Sequence, residues 1–184
     1  MSAREPSEIE QWAEAVAAEH LKPLGDRWLH TLGVVDLARE LTPALSANEG
    51  GTLIAAAFVH DIGYAPRLAA TGFHPLDGAE YIARAGFSRL AALVAHHGGA
   101  RHEAQLRGLG ALLARFARED SRVAAALDFL DLSTGPRGER WPLSERLRDI
   151  VRRHRDDPAV VAALCATSSE LKANFEAGQS LLRR

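Results

Sequence analysis

The stretch AAAFVHDIGY, residues 55–64, runs five apolar side chains straight into an imidazole and a carboxylate, His60 and Asp61. Ionisable groups placed directly behind a buried-looking run are costly unless something pairs with them. The partner has to come from elsewhere in the chain, so the surroundings of these two residues decide the reading of the whole sequence.

Those surroundings are helical. Ala, Leu, Arg and Glu dominate, all good helix formers, and the period-two alternation of β-branched and aromatic residues that marks strands is absent. Ser7 and Glu10 have capping-box spacing and open a helix expected to run to about His20. Further helices are expected over about 26–41, 48–62, 74–85, 88–97, 100–116, 120–132, 142–155, 157–166 and 168–182. Gly63 closes the third of these, Pro75 suits the first turn of the helix that His74 opens, and Ser88 is read as a cap. The Gly/Pro-rich loop STGPRGERWP, residues 133–142, separates helices of similar character, and no repeat or linker divides the chain. The expectation is one all-α domain over residues 1–184.

Composition narrows the function. The 184 residues are 47% hydrophobic and 25% charged, with a formal net charge of -2. That is ordinary for a soluble globular protein and gives no sign of a nucleic-acid surface. A single cysteine, Cys165, excludes an intrachain disulfide and a Cys-based zinc site. The polar start MSAREPSEIE reads neither as a signal peptide nor as an anchor, and no apolar run approaches the roughly 20 residues a membrane span needs. A cytoplasmic protein that binds neither membrane nor nucleic acid is expected; oligomeric state is left open. Six of the eight histidines fall between residues 30 and 102.

Helical phase says where the key side chains point, because positions three, four and seven apart share a face. His30 is in line with Arg27, Val34 and Leu37. His60 is aligned with Leu53, Ala56 and Ala57, and Asp61 with Ile54, Ala57 and Phe58. Asp131 follows Asp128 and Leu127 on a later helix. Three helices thus offer His, His-Asp and Asp from inner faces. A single inward histidine is usually a hydrogen-bonded core residue, a His-Asp dipeptide is common by chance, and Asp131 at a helix end could face solvent. The joint pattern is what points to a divalent metal, which imidazole and carboxylate together suit.

The same segments carry a resemblance. RWLHTLGVVDLA (27–38), AAAFVHDIGY, FHPLDGAEYI (73–82), LVAHHGGA (93–100) and ALDFLDLSTGP (126–136) occur in an order that resembles the HD-domain metal-dependent phosphohydrolase superfamily, over residues 26–150. The resemblance implies an HD-domain helical bundle with the N- and C-terminal helices packed on it. It implies metal ligation by His30, His60, Asp61 and Asp131, and hydrolysis of a phosphate ester or anhydride, often of a nucleotide. His74 and His96–His97 stand where some relatives carry ligands for a second metal. His97 follows Leu90, Leu93 and Val94 on the apolar face and is the better ligand of the pair. His96, rotated about 100° away, is assigned to substrate or to orienting a ligand. Many relatives have Lys where this chain has Tyr64, and the glycine-tyrosine-proline signature of the cyclic-di-GMP branch is missing.

One or two divalent ions are therefore expected, with iron, manganese and zinc all suited to such ligands. They would activate water, with Asp61 as the bridge and Arg27, one turn before His30, meeting a phosphate oxygen. Arg67 and Arg101 are weaker candidates, and His102 is read as an exposed helix residue. The competing reading is a silent HD module that binds a nucleotide or a partner protein, and a third is a purely structural metal.

Overall fold

The computed structural model describes residues 7–182 and is all-α: no strand occurs among those residues, and an isolated antiparallel bridge joins Thr134 to Arg140. Residues 1–6 of the polar start lie outside the described residues. The helices are α1 (Glu8–Leu21), α2 (Asp26–Leu41), α3 (Ala47–Val59), α4 (His74–Arg84), α5 (Ser88–His96), α6 (Ala100–Leu106), α7 (Gly110–Leu113), α8 (Arg122–Leu132), α9 (Leu143–Arg153) and α10 (Pro158–Leu181).

Helix α3 is the axis of the bundle. Every residue from Gly50 to Val59 is buried, and α1, α2, α5 and α8 pack around it. Gly50, Gly51 and the run Ala55–Ala57 keep it thin, so several neighbours can approach closely. A continuous hydrophobic cluster extends from Ala13 on α1 to Leu181 on α10. The capping box forms at the start of α3: Glu49 N–H donates to Ser46 Oγ at 3.3 Å and Ser46 N–H donates to Glu49 Oε2 at 3.0 Å. At Ser7 the expected box does not form: its side chain caps no backbone N–H, and its hydroxyl donates to Glu10 Oε1 at 2.9 Å. Ser88 is not a cap either; it is the first helical residue, with Phe87 at the cap position and no side-chain bond.

Helix boundaries differ from expectation at four places. The helix expected over 100–116 breaks after Leu106. Leu109 N–H donates to Ala104 O at 2.7 Å and Gly108 N–H to Gln105 O at 3.1 Å, the closure of a glycine C-terminal motif. The two helices expected at 157–166 and 168–182 are one. Thr167 and Ser168 do not cap a new start, since their hydroxyls donate back to Ala163 O and Cys165 O, the back-bonding such residues adopt inside helices. Helix α3 ends at Val59, short of Ile62, and His97 lies just past α5 in extended backbone.

Gly63 joins the third helix to the fourth. It lies in a 3-10 turn, Ile62–Tyr64, against the start of α4. A Cβ there would stand 2.0 Å from His74 O and 2.7 Å from Gly78 N. Only glycine permits this approach, which brings the His60–Asp61 end of α3 beside His74. Gly63→Ala is expected to lower the unfolding free energy by about 3 kcal/mol, the upper part of the usual overpacking range. Urea denaturation measures it, and an unchanged midpoint would contradict the close approach.

Candidate metal centre

Two groups of potential ligands converge at the ends of α2, α3, α5 and α8 and the start of α4. His30, His60 and Asp131 bring one donor atom each within 4.8 Å of one another, and so do Asp61, His74 and His97. His30, His60, Asp61 and His97 are all buried. Asp61 belongs to both neighbourhoods: its Oδ2 is 3.3 Å from His60 Nε2 and 3.8 Å from His30 Nε2, while its Oδ1 is 3.5 Å from His74 Nε2. A carboxylate with one oxygen turned to each group has the form of a bridging ligand.

The backbone sets which ring nitrogen is available. His30 Nδ1 lies 3.1 Å from Gly135 O, His60 Nδ1 2.9 Å from Ala57 O, and His97 Nδ1 2.6 Å from Val94 O. A carbonyl can only accept, so each Nδ1 carries a proton, which leaves Nε2 as the ring nitrogen that faces the cluster. His30 and His60 thereby face each other Nε2 to Nε2 at 3.4 Å. The two facing nitrogens, with Asp131 Oδ1 3.2 Å from His30 Nε2, need a proton or a metal cation between them. Imidazole and carboxylate without thiolate suit a borderline divalent ion. The residues present therefore fit a metal.

Electrostatics point the same way. Burial would raise the Asp61 carboxyl, but the Arg27 guanidinium and His60 outweigh it and hold it well below the usual carboxylate range. Asp131 is likewise held well below by Arg146 and His30 against the effect of burial. Burial keeps His30 and His74 below the ordinary histidine value, so their rings stay neutral and able to ligate. His60 runs the other way: burial opposes its charge, yet the adjacent Asp61 prevails and the direction is upward. A metal ion at its Nε2 would take the place of the proton that the carboxylates favour there.

Each predicted residue has a definite place. His30, His60, Asp61, His74, His97 and Asp131 come together. Arg27 adjoins them, with Nη1 2.7 Å from Asp61 Oδ2. His96 does not join: its Nε2 donates to Phe116 O at 2.8 Å, and its ring lines a neighbouring recess with Arg101 and His102. The assignment of His96 to substrate or to a ligand is corrected accordingly. The helix unwinds at His97, whose extended backbone returns its ring to the cluster and leaves His96 behind. His102, expected to be exposed, is half-buried, and Arg67 is exposed, outside the cluster.

Sequence reasoning missed three supports. Arg146 on α9 is buried and donates to Asp131 Oδ1 at 2.8 Å. Nothing distinguishes it in sequence from Arg148, Arg152 and Arg153 on the same helix. Asp128 accepts from Gly98 N–H at 2.7 Å and from Asn174 Nδ2 at 2.7 Å, fixing the left-handed turn (Gly98 φ 62°) that follows His97. The loop 133–142 presents Gly135 O to His30 because Gly138 sits against Gly33 of α2, where a Cβ on Gly33 would stand 2.5 Å from Gly138 Cα. The signal for the last was the Gly-rich loop itself.

Above the ligands opens a cleft of about 280 Å³, lined by Arg27, His74, His97, Asp131 and Arg146 below and by Ile150, Val160 and Leu164 of α9–α10 above. The family model of the HD domain matches residues 27–132, more than half the chain. No curated protein and no solved structure matches. The cleft's upper wall is thus built from helices beyond the matched residues.

Arg146→Met should leave the half-buried Asp131 without its cation and lower apo-protein stability by about 3 kcal/mol at neutral pH. A carboxyl whose folded pKa is depressed stabilises above its unfolded value and loses that contribution as pH falls. The gap between parent and variant should therefore be full above about pH 4 and close below it. Urea melts across pH measure it, and a gap independent of pH would rule out the ion pair as its origin.

Proposed function

This chain belongs to the HD-domain family, and on that premise we propose that it is a metal-dependent phosphohydrolase acting on a small phosphate ester or anhydride, nucleotides included. The observation that carries the reading is the pair of adjacent ligand groups, His30–His60–Asp131 and Asp61–His74–His97, at the floor of an arginine-flanked cleft. His30, His60, Asp61 and Asp131 would hold one divalent ion, and His74 and His97, with Asp61, a second; iron, manganese and zinc all fit these donors. A bound ion there would supply Lewis acidity and an acidified water.

The chain's own groups do the rest. Asp61 and Asp131 stay ionised at neutral pH and present oxygens toward both groups. Arg27, at the cleft floor, offers planar donors to a phosphate oxygen and stabilises charge developing on it. Asp131 holds Arg146 beside it as a second cation. Ile150, Val160 and Leu164 give the organic part of the substrate an apolar wall. The cleft is near the lower end of ligand-site volumes, roughly 300–1,000 Å³, which favours a compact substrate over a polymer. Among the described residues no helix is long and apolar enough to cross a membrane. We read residues 1–184 as one cytoplasmic domain without a nucleic-acid or membrane partner.

One observation favours the second reading, a silent binding module: Arg27 and Arg146 are each paired with a candidate ligand carboxylate, so both carboxylate charges are compensated without a metal. Phosphate release over a panel of mono-, di-, cyclic and dinucleoside phosphates, before and after chelation, separates the two. The hydrolase reading expects activity that chelation abolishes and metal restores, and a metal content that Asp61→Ala removes. Silence across the panel, or activity that survives complete metal removal, would overturn it. Arg27→Ala is expected to reduce kcat/KM by about 10²–10³-fold with the ion at His30, His60 and Asp131 retained; turnover equal to the parent's would remove Arg27 from the chemistry.

A further inference from the structure

Tyr64 lies inside the centre without being a ligand. Its ring is stacked on His74, with centroids 4.0 Å apart and planes 17° from parallel. The Arg27 Cζ lies 3.9 Å from the same ring centroid. Two groups cannot both sit about 4 Å over one face of a ring, so they take opposite faces. The four residues close a circuit: Arg27 Nη1 reaches Asp61 Oδ2 at 2.7 Å, Asp61 Oδ1 lies 3.5 Å from His74 Nε2, and His74 returns to Tyr64.

The other three ligand rings do not need such a support. His30, His60 and His97 are each fixed by an Nδ1–H bond to a backbone carbonyl. Among the described residues the His74 ring makes no such bond, and at 21% its side chain is more exposed than those of His30 and His60, at 2% and 0%. Its plane and reach are therefore set by what it lies against. Phe73 meets it only edge-on at 6.4 Å, whereas Tyr64 covers a whole face. Tyr64 cannot slide away from the stack, because the Arg27 guanidinium covers its other face and is itself tied to Asp61.

We propose that Tyr64 is a positioning residue for the second metal: clamped under Arg27, it holds the His74 ring in the plane from which Nε2 reaches the Asp61–His74–His97 group. This rests on the metal-centre reading above and assigns a task to the position where the family resemblance implies lysine. A lysine would bring charge there but no face on which an imidazole can stack.

The test is Mn²⁺ binding to metal-free protein, read as the number of ions, the affinity of each and the electron paramagnetic resonance signature of a coupled pair. The parent and Tyr64→Phe, which keeps both ring faces, are expected to bind two ions and show the coupled signal. Tyr64→Leu is expected to bind the first ion as the parent does and the second about 10–100-fold more weakly, the usual loss when a ligand's orienting partner is removed, approaching His74→Ala. Circular dichroism melts check folding; if Tyr64→Leu does not fold, Tyr64→Lys, which fills the space with a chain and no ring, is read the same way. Parent-like binding of both ions by the ring-less variant overturns the proposal. Equal weakening of both ions also overturns it, since that marks a general structural role. A parent that binds one ion overturns this inference and leaves a mononuclear hydrolase, whereas a parent that binds none overturns the metal reading itself.

Discussion

A carboxylate buried at the end of the most buried helix is the constraint on which the rest of the molecule is arranged. Asp61 is 4% exposed, directly behind a run in which every residue from Gly50 to Val59 is buried. An unpaired charge in such a place would cost several kcal/mol, so its surroundings have to supply compensation from several directions. Arg27 comes from α2, His60 from the residue before, and His74 from the start of α4. Asp131 repeats the problem on α8 and is answered by His30 and Arg146. The fold can be described as the set of helix ends needed to bring those partners to two carboxylates.

This explains why backbone irregularities collect at the centre. Asp61, His74 and His97 all lie at or just beyond the ends of regular helices, and Gly63 and Gly98 sit next to them. Helix ends release side chains from the fixed phase of a helix face, so candidate ligands from five helices can meet at one place. Close backbone contacts at Gly63 and between Gly33 and Gly138 then hold those ends at fixed distances.

Much of this was legible in the sequence because metal ligation leaves a composition signal: His and Asp are conspicuous on otherwise apolar faces. His30, for which helical phase applied, sits on regular helix. The placement of His97 agreed with phase reasoning for a different reason, since its backbone is extended and its ring is drawn in by Val94 O. His96, the last residue of α5, keeps the helical phase and is turned toward Phe116 O, away from both ligand groups. Arg146 was illegible because burial, not residue type, singles it out from the other arginines of α9. The continuity of α10 was hidden because Thr167 and Ser168 look like caps in one dimension and only a completed helix shows their hydroxyls bonding backward.

The centre is therefore built from two kinds of support with different rigidity. His30, His60 and His97 are aimed by backbone carbonyls, and two of those carbonyls, Ala57 O and Val94 O, belong to the helix that leads into the ligand itself. Such aiming is as stiff as the main chain, and it changes only if a helix end unravels. His30 depends on a distant loop, but that loop is locked to α2 by backbone packing at Gly33 and Gly138. His74 alone rests on side chains, Tyr64 and, through it, Arg27. Side-chain stacking is worth about 0.5–1.5 kcal/mol, enough to bias a ring and too little to lock it. The His30–His60–Asp131 group is thus held by the fold, while the arm of the second group that faces the cleft is held by two residues that line the same cleft as the substrate. Anything that binds there and engages Arg27 also acts, through one aromatic ring, on a ligand of the second group.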